Sequence, residues 1–219
     1  MAGIFGAFCT NGHSVLEDVY LGLYALQHRG QESAGIAWNS NEGGEVNFVK
    51  GMGLVHIALD QKYLAGLRAN SAIGHVRYSA TGPSGLANVH PITANYSMGS
   101  VAVAHNGNIT NAMGIRQMLE SRGAIFQSTT DTETIIHLMA HQSHKPPLDA
   151  LVDALRRLKG AYSLAVLLGN RLVAARDPWG FRPLVLGRRE DTFYVASESC
   201  PPAIPGVFDP SSWGGGRTP

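Results

Sequence analysis

The sequence predicts an α+β fold, with antiparallel sheets covered by helices, and three observations carry that expectation. Strand-like and helical stretches come in blocks and do not alternate strictly, which argues against a doubly wound parallel sheet. The helical stretches carry both S-x-x-E-type start signals and apolar residues at helical period. With 219 residues, 44% of them hydrophobic and 15% charged, the chain is long enough and apolar enough to bury one or two cores.

Residues 3–8 form a short apolar run that reads as the first strand, closed by a turn at Thr10-Asn11-Gly12. Ser14 and Glu17 have capping-box spacing, and Val15, Leu16, Val19, Leu23 and Leu26 continue at helical period until Gly30. Strand-like runs follow at 34–38, 46–50, 72–77 and 101–105, each bounded by Gly, Asn or Ser. Two helices are expected next, one over 111–122 that stops at Gly123, and one opening at Thr130-Asp131 with Glu133 completing a second capping box. A third helix starts after Pro146-Pro147 and ends by Gly160. Strands at 162–168, 171–175 and 193–197, with an apolar piece at 184–186, complete the pattern. One domain over 1–200 is expected. After Cys200 five of the eleven prolines and the triplet Gly214-Gly215-Gly216 mark 201–219 as an irregular tail.

Formal net charge is +1 and no basic cluster occurs, so the electrostatic footprint of a nucleic-acid binder is missing. Cys9 and Cys200 lie near opposite ends, without the spacing of a zinc site or the number needed for a disulfide scaffold, so neither metal nor cofactor is expected. No apolar run approaches the roughly 18 to 20 residues of a membrane span, and no signal peptide is apparent. A soluble, cytoplasmic chain with no membrane partner is the expectation.

Between Tyr78 and Ile115 there is no Asp, Glu, Lys or Arg, although the stretch is rich in Gly, Asn, Ser, Thr and His. Such a segment suits either a surface of glycine-rich turns or the lining of a partly desolvated pocket, where hydrogen bonds are wanted and unpaired ions are costly. Arg77 stands at its entrance, suited to a bidentate carboxylate contact or to a structural ion pair. His105-Asn106-Gly107-Asn108 follows an apolar strand, so an amide side chain and a glycine N–H are placed together as in an oxyanion hole. Taken alone, Asn-Gly reads first as a tight turn. Asp131 sits at a helix start, where capping is its default role and ligand binding the lesser one. His137 and His141 have H-x-x-x-H spacing but are broken as a ligand pair by the surrounding apolar face, so the nine histidines read as packing and surface residues.

Taken together, the segments Gly3-Ile4-Phe5-Gly6, Gln27-His28-Arg29-Gly30-Gln31, Gly74-His75-Val76-Arg77-Tyr78, His105-Asn106-Gly107-Asn108, Ser128-Thr129-Thr130-Asp131-Thr132-Glu133 and Arg176-Asp177-Pro178-Trp179-Gly180-Phe181-Arg182-Pro183-Leu184 resemble, in this order, the glutaminase domains of the amidophosphoribosyltransferase family. The resemblance spans roughly residues 2–200. It implies an N-terminal-nucleophile hydrolase fold, a four-layer αββα sandwich of two antiparallel sheets. It also implies L-glutamine as substrate, ammonia passed to a phosphoribosyltransferase domain in the first step of purine synthesis, and room for a homo-oligomer. In this family an N-terminal cysteine thiolate attacks the glutamine side-chain amide while its own α-amine, which titrates near neutral pH, moves the proton. Carried over, Arg77 holds the α-carboxylate, Asp131 the α-ammonium, Asn106 and Gly107 the oxyanion, and Arg29 and Gly30 belong to the adjoining loop.

The sequence departs from the family at Ala2, the place of the nucleophilic cysteine. From that residue alone the expectation is a chain with little or no glutaminase activity, or a non-catalytic glutamine-binding or regulatory module. Cys9 lies seven residues further along a strand, about 23 Å away at about 3.3 Å per residue, and reads as a buried small hydrophobe. Ala80 replaces a usual threonine, with Thr81 one place later, which weakens one expected glutamine contact. The phosphoribosyltransferase half has no counterpart in the sequence, and an iron–sulfur cluster would need four cysteines.

Overall fold

The computed structural model describes residues 2–39, 45–79 and 85–199. The expectations at Ala80, Thr81, Cys200 and the 201–219 tail lie outside these residues. Among the described residues ten strands are arranged in two antiparallel sheets. The first sheet has the order β3-β2-β4-β1-β10-β9, with β1 Gly3–Cys9, β2 Ser33–Asn39, β3 Val46–Met52, β4 Ser71–Arg77, β9 Val185–Arg189 and β10 Thr192–Ala196. The second has the order β5-β6-β7-β8, with β5 Ile92–Tyr96, β6 Gly99–Ile109, β7 Gly160–Leu168 and β8 Arg171–Arg176.

Side-chain alternation builds the layers, because successive residues of a strand face opposite sides of its sheet. In β6, Val101 and Val103 join a core with helices α4 (Ala112–Glu120), α5 (Glu133–Ala140) and α6 (Pro147–Arg156), whereas Ala102 and Ala104 turn toward the other sheet. The layer between the sheets is made of these alanines with Ala165, Leu167, Ile4, Ala37, Ile73 and Val195. On the far side, Phe5 and Ala7 of β1 pack with Leu16, Val19 and Leu23 of α1 (Leu16–Ala25), beside the short helices α2 (Val55–Ala58) and α3 (Gln61–Ala65). The result is the expected αββα sandwich.

Several local expectations are corrected. Neither capping box forms. The Ser14 hydroxyl donates to the Leu67 carbonyl and accepts from the Ala69 N–H, and α1 begins at Leu16 with no side-chain cap. Glu133 turns back to accept from the Gln127 N–H at 2.8 Å and the Ser128 N–H at 2.7 Å. Asn106-Gly107 is not a turn. The ladder between β6 and β7 continues through Asn106↔Ser163 and Gly107↔Tyr162 to Ile109↔Gly160, so pairing with a long neighbour overrides the local preference of the dipeptide. Strand β5 and the helices α2 and α3 are additions to the sequence reading.

Candidate active site

Strand β1 lies between β4 and β10, so its first residues are fixed from both sides. Gly3 pairs with Val76, and the Ile4 N–H donates to Ser197 Oγ at 2.9 Å. The Ala2 carbonyl accepts from Arg29 Nε at 3.0 Å, and the Arg29 guanidinium is ion-paired to Glu198. Ala2 is thereby held at the edge of a pocket that it lines together with His75, Arg77, Tyr78, His90, His105, Asn106, Gly107, Thr130, Asp131 and Arg182. The sandwich therefore brings together residues from β1, β4, β6 and the loop before α5.

Five of the residues singled out from sequence meet here: Ala2, Arg77, Asn106, Gly107 and Asp131. Asn106 is buried, and its Nδ2 has no hydrogen-bond partner among the described residues. An unpaired buried amide is costly unless something else completes it. Gly107 follows where the chain is tightly packed: a Cβ there would sit 2.0 Å from the Ala161 carbonyl oxygen and 2.7 Å from Tyr162 Cα. Only glycine fits that ladder position without displacing the backbone of β7.

Arg77 is buried, which lowers its pKa, while Glu32 and Asp131 act in the opposite direction. The uncharged stretch after Arg77 thus gives an incomplete picture, because carboxylates from β2's approach and from the α5 loop come within its field. Asp131 does not cap the helix with its side chain. Its Oδ2 accepts from the Ile109 N–H at 2.8 Å, and its Oδ1 lies 3.4 Å from His105 Nδ1. Burial would raise the Asp131 pKa, but hydrogen bonds from His105 and from the Ile109 and Thr132 N–H groups outweigh it and hold the carboxyl below its ordinary value. It is a carboxylate at neutral pH.

Arg29 and Gly30 do not line the pocket. Arg29 acts on Ala2 from behind, and Gly30 lets its loop press on β4, since a Cβ there would sit 2.7 Å from the Arg77 carbonyl oxygen. Cys9 is a buried free thiol bonded to Asn11 Oδ1 at the opposite end of β1, away from the pocket.

Three of the nine histidines are packing residues that also reach the pocket. His75, His90 and His105 are buried and line the pocket. His75 and His90 stack with ring centroids 4.6 Å apart, and His75 Nε2 donates to the His105 carbonyl at 2.9 Å. Burial pushes the His75 pKa down to about 3 and the His90 pKa well below the ordinary imidazole value. Both rings are neutral at physiological pH. Arg182 and Thr130 also reach the pocket; they lie within segments quoted above but have no local spacing that marks them as site residues. Among the described residues no cluster of His, Cys, Asp or Glu is arranged to hold a metal.

Two stacked antiparallel sheets between helical layers, with a polar pocket closing on the start of a central strand, define a sandwich of the N-terminal-nucleophile hydrolase type. The chain belongs to the glutamine amidotransferase domain family, whose model matches residues 83–201. It is a class-II glutamine amidotransferase domain, homologous to the glutaminase domains of amidophosphoribosyltransferases. It is 42% identical over 202 residues to an amidophosphoribosyltransferase of Methanocaldococcus jannaschii, an alignment covering 91% of this chain and 42% of the relative. A chloroplastic amidophosphoribosyltransferase of Vigna aconitifolia is 53% identical over 182 residues, covering 82% of this chain and 37% of the relative. The glutamine phosphoribosylpyrophosphate amidotransferase of Bacillus subtilis, solved with ADP and GMP, superposes with a TM-score of 0.83 at 38% identity, covering 94% of this chain and 44% of that one. The chain thus spans less than half the length of these relatives. Among the described residues no helix is long and apolar enough to cross a membrane.

These similarities correct the expectation drawn from Ala2. They support the function of an amidophosphoribosyltransferase glutaminase domain, not of a non-catalytic module, with the N-terminal nucleophile position belonging to a cysteine. Alanine stands at that position in this sequence.

Proposed function

We propose that this domain binds L-glutamine and releases ammonia from its side-chain amide for a phosphoribosyltransferase partner domain, the entry step of purine synthesis in a cytoplasmic enzyme. The observation that carries the reading is Asn106 Nδ2, a buried donor without a partner among the described residues, lining a pocket with Gly107 beside Ala2. A donor kept unpaired in advance stabilises negative charge that appears only during reaction. With a cysteine in place of Ala2, its α-amine takes the thiol proton and the thiolate attacks the amide carbon. The amide oxygen then becomes the oxyanion facing Asn106 and Gly107. The leaving amine takes its proton from the α-ammonium of that cysteine, and water hydrolyses the thioester to glutamate and the free thiol. Arg77 and Asp131 fix the opposite end of glutamine through its α-carboxylate and α-ammonium, so that a zwitterionic amino acid satisfies both buried charges.

The test uses the chain with Ala2→Cys, its N-terminal cysteine verified after Met1 removal. Glutamine-dependent ammonia release is expected. A folded Ala2→Cys protein that binds glutamine but releases no ammonia would overturn the assignment of position 2. Arg77→Ala removes one side of a buried charge pair and should weaken glutamine binding by roughly 2–5 kcal/mol in titration calorimetry. Equal affinity for both proteins would make Arg77 structural.

A further inference from the structure

Thr132 is fully buried and occupies the N-cap position of α5, yet its side chain makes no capping hydrogen bond. Its hydroxyl instead meets two rings, His90 Nε2 at 2.8 Å and His105 Nδ1 at 2.9 Å, and lies 3.4 Å from Asp131 Oδ1. His105 Nδ1 also lies 3.4 Å from Asp131 Oδ1. A hydroxyl has one proton and two acceptor lone pairs, so it cannot donate to both rings. With Asp131 ionised, a proton on His105 Nδ1 faces two oxygens, whereas a lone pair there would face a carboxylate. The His105 ring therefore carries a proton on Nδ1. This agrees with His105 Nε2, which is buried and has no partner among the described residues. Thr132 accepts that proton at the shorter distance and gives its own to His90 Nε2, the nearer acceptor at 2.8 Å, in preference to Asp131 Oδ1 at 3.4 Å.

We propose that Thr132 is a positioning residue that keeps Asp131 available to the ligand ammonium, by taking the shorter branch of a shared His105 Nδ1 hydrogen bond and so holding the branch to Asp131 Oδ1 at 3.4 Å. The inference rests on the reading of Asp131 as the ammonium partner of bound glutamine. Without the hydroxyl, the His105 N–H has one acceptor left, the carboxylate oxygen already 3.4 Å away. A carboxylate oxygen committed to an imidazole N–H has less capacity for a second donor. Binding of the ammonium end should suffer, and binding of the amide and carboxylate ends should not.

The experiment compares glutamine with 4-carbamoylbutanoate, the same molecule without its amine, by titration calorimetry on the full chain. In Thr132→Val, which replaces the hydroxyl by a methyl of similar shape, the Kd for glutamine should rise about tenfold, as expected when a buried charge contact is compromised. The Kd for 4-carbamoylbutanoate should stay where it is in the unsubstituted chain, and Thr132→Ser should restore glutamine binding. Unchanged glutamine affinity in Thr132→Val, or parallel loss for both ligands, would overturn the proposal; the second result would make Thr132 merely structural. If the unsubstituted chain prefers glutamine no more than its amine-free analogue, the Asp131 reading itself fails, and this inference with it. Should Thr132→Val not fold, the ¹⁵N shifts of the His105 ring in the unsubstituted chain decide. A protonated Nδ1 with a bare Nε2 supports the assignment, and the opposite tautomer overturns it.

Discussion

The two halves of strand β6 share one ladder with β7 and differ in everything their side chains do. From Val101 to Ala104 the strand is a packing element, with valines toward the helices and alanines toward the other sheet, all buried. From His105 to Asn108 the same ladder continues, but the buried side chains are polar and Asn106 Nδ2 is left without a partner among the described residues. The backbone is equally secured in both halves. Rigidity is supplied by the main chain, and this frees the second half to hold its side-chain donors in readiness for a ligand.

The contrast can be broken most strongly at Asn106. In the Ala2→Cys protein, Asn106→Ala should lower kcat for glutamine hydrolysis by about 10²–10³-fold, the usual effect of removing an oxyanion donor. Its stability in urea should stay within about 1 kcal/mol, because an unsatisfied buried amide contributes little to the fold. A large stability loss with intact kcat would assign Asn106 to the packing half. The reciprocal change is Val103→Ala, expected to cost about 2 kcal/mol of stability through a cavity beneath the helices while leaving glutamine affinity unaltered. Weakened binding in a fully folded Val103→Ala protein would show that the two halves are not separable.

The most gradual effect should come from acid. His75 has a folded pKa of about 3, below its unfolded value near 6.5, so the unfolded chain binds more protons in between. Its contribution is fully present above about pH 6.5 and is lost as pH falls toward 3, at no more than about 1.4 kcal/mol per pH unit for one group. Glu133 adds to this lower down. Burial opposes its ionisation, but His137, Ser128 and the Gln127 and Ser128 N–H groups hold its pKa at about 2, so its share is lost as pH falls from about 4.5 toward 2. Urea melts of the unsubstituted chain and His75→Gln between pH 7 and 4 should show a shallower loss in the variant. Identical slopes would place the proton uptake elsewhere.

Sequence periodicity located most strands and the larger helices because burial on one face leaves a repeating apolar pattern. It missed β5, where Pro91 precedes Ile92-Thr93-Ala94-Asn95-Tyr96 and only three residues alternate toward the core side. The capping signals at Ser14 and Glu133 misled for a different reason. Both side chains found partners made by tertiary structure, the 67–69 segment and the 127–128 backbone, which no local pattern encodes. Of the site, Arg77, Asn106, Gly107 and Asp131 stood out through short motifs. His75, His90, His105 and Thr132 did not, since His75 comes from one sheet, His105 from the other and His90 from the connection preceding β5. Only stacking of the sheets puts their rings within hydrogen-bonding reach.

The alanines between the sheets have a consequence for the pocket as well as for the core. Arg77 ends a strand of the six-stranded sheet and Ala2 immediately precedes another, whereas Asn106 and Gly107 belong to the four-stranded one. The thickness of the alanine-rich layer is therefore the gauge that spaces one side of the pocket from the other. Enlarging Ala104 would act like a shim driven between two plates, widening the gap that a ligand has to bridge while every side chain that touches it stayed the same.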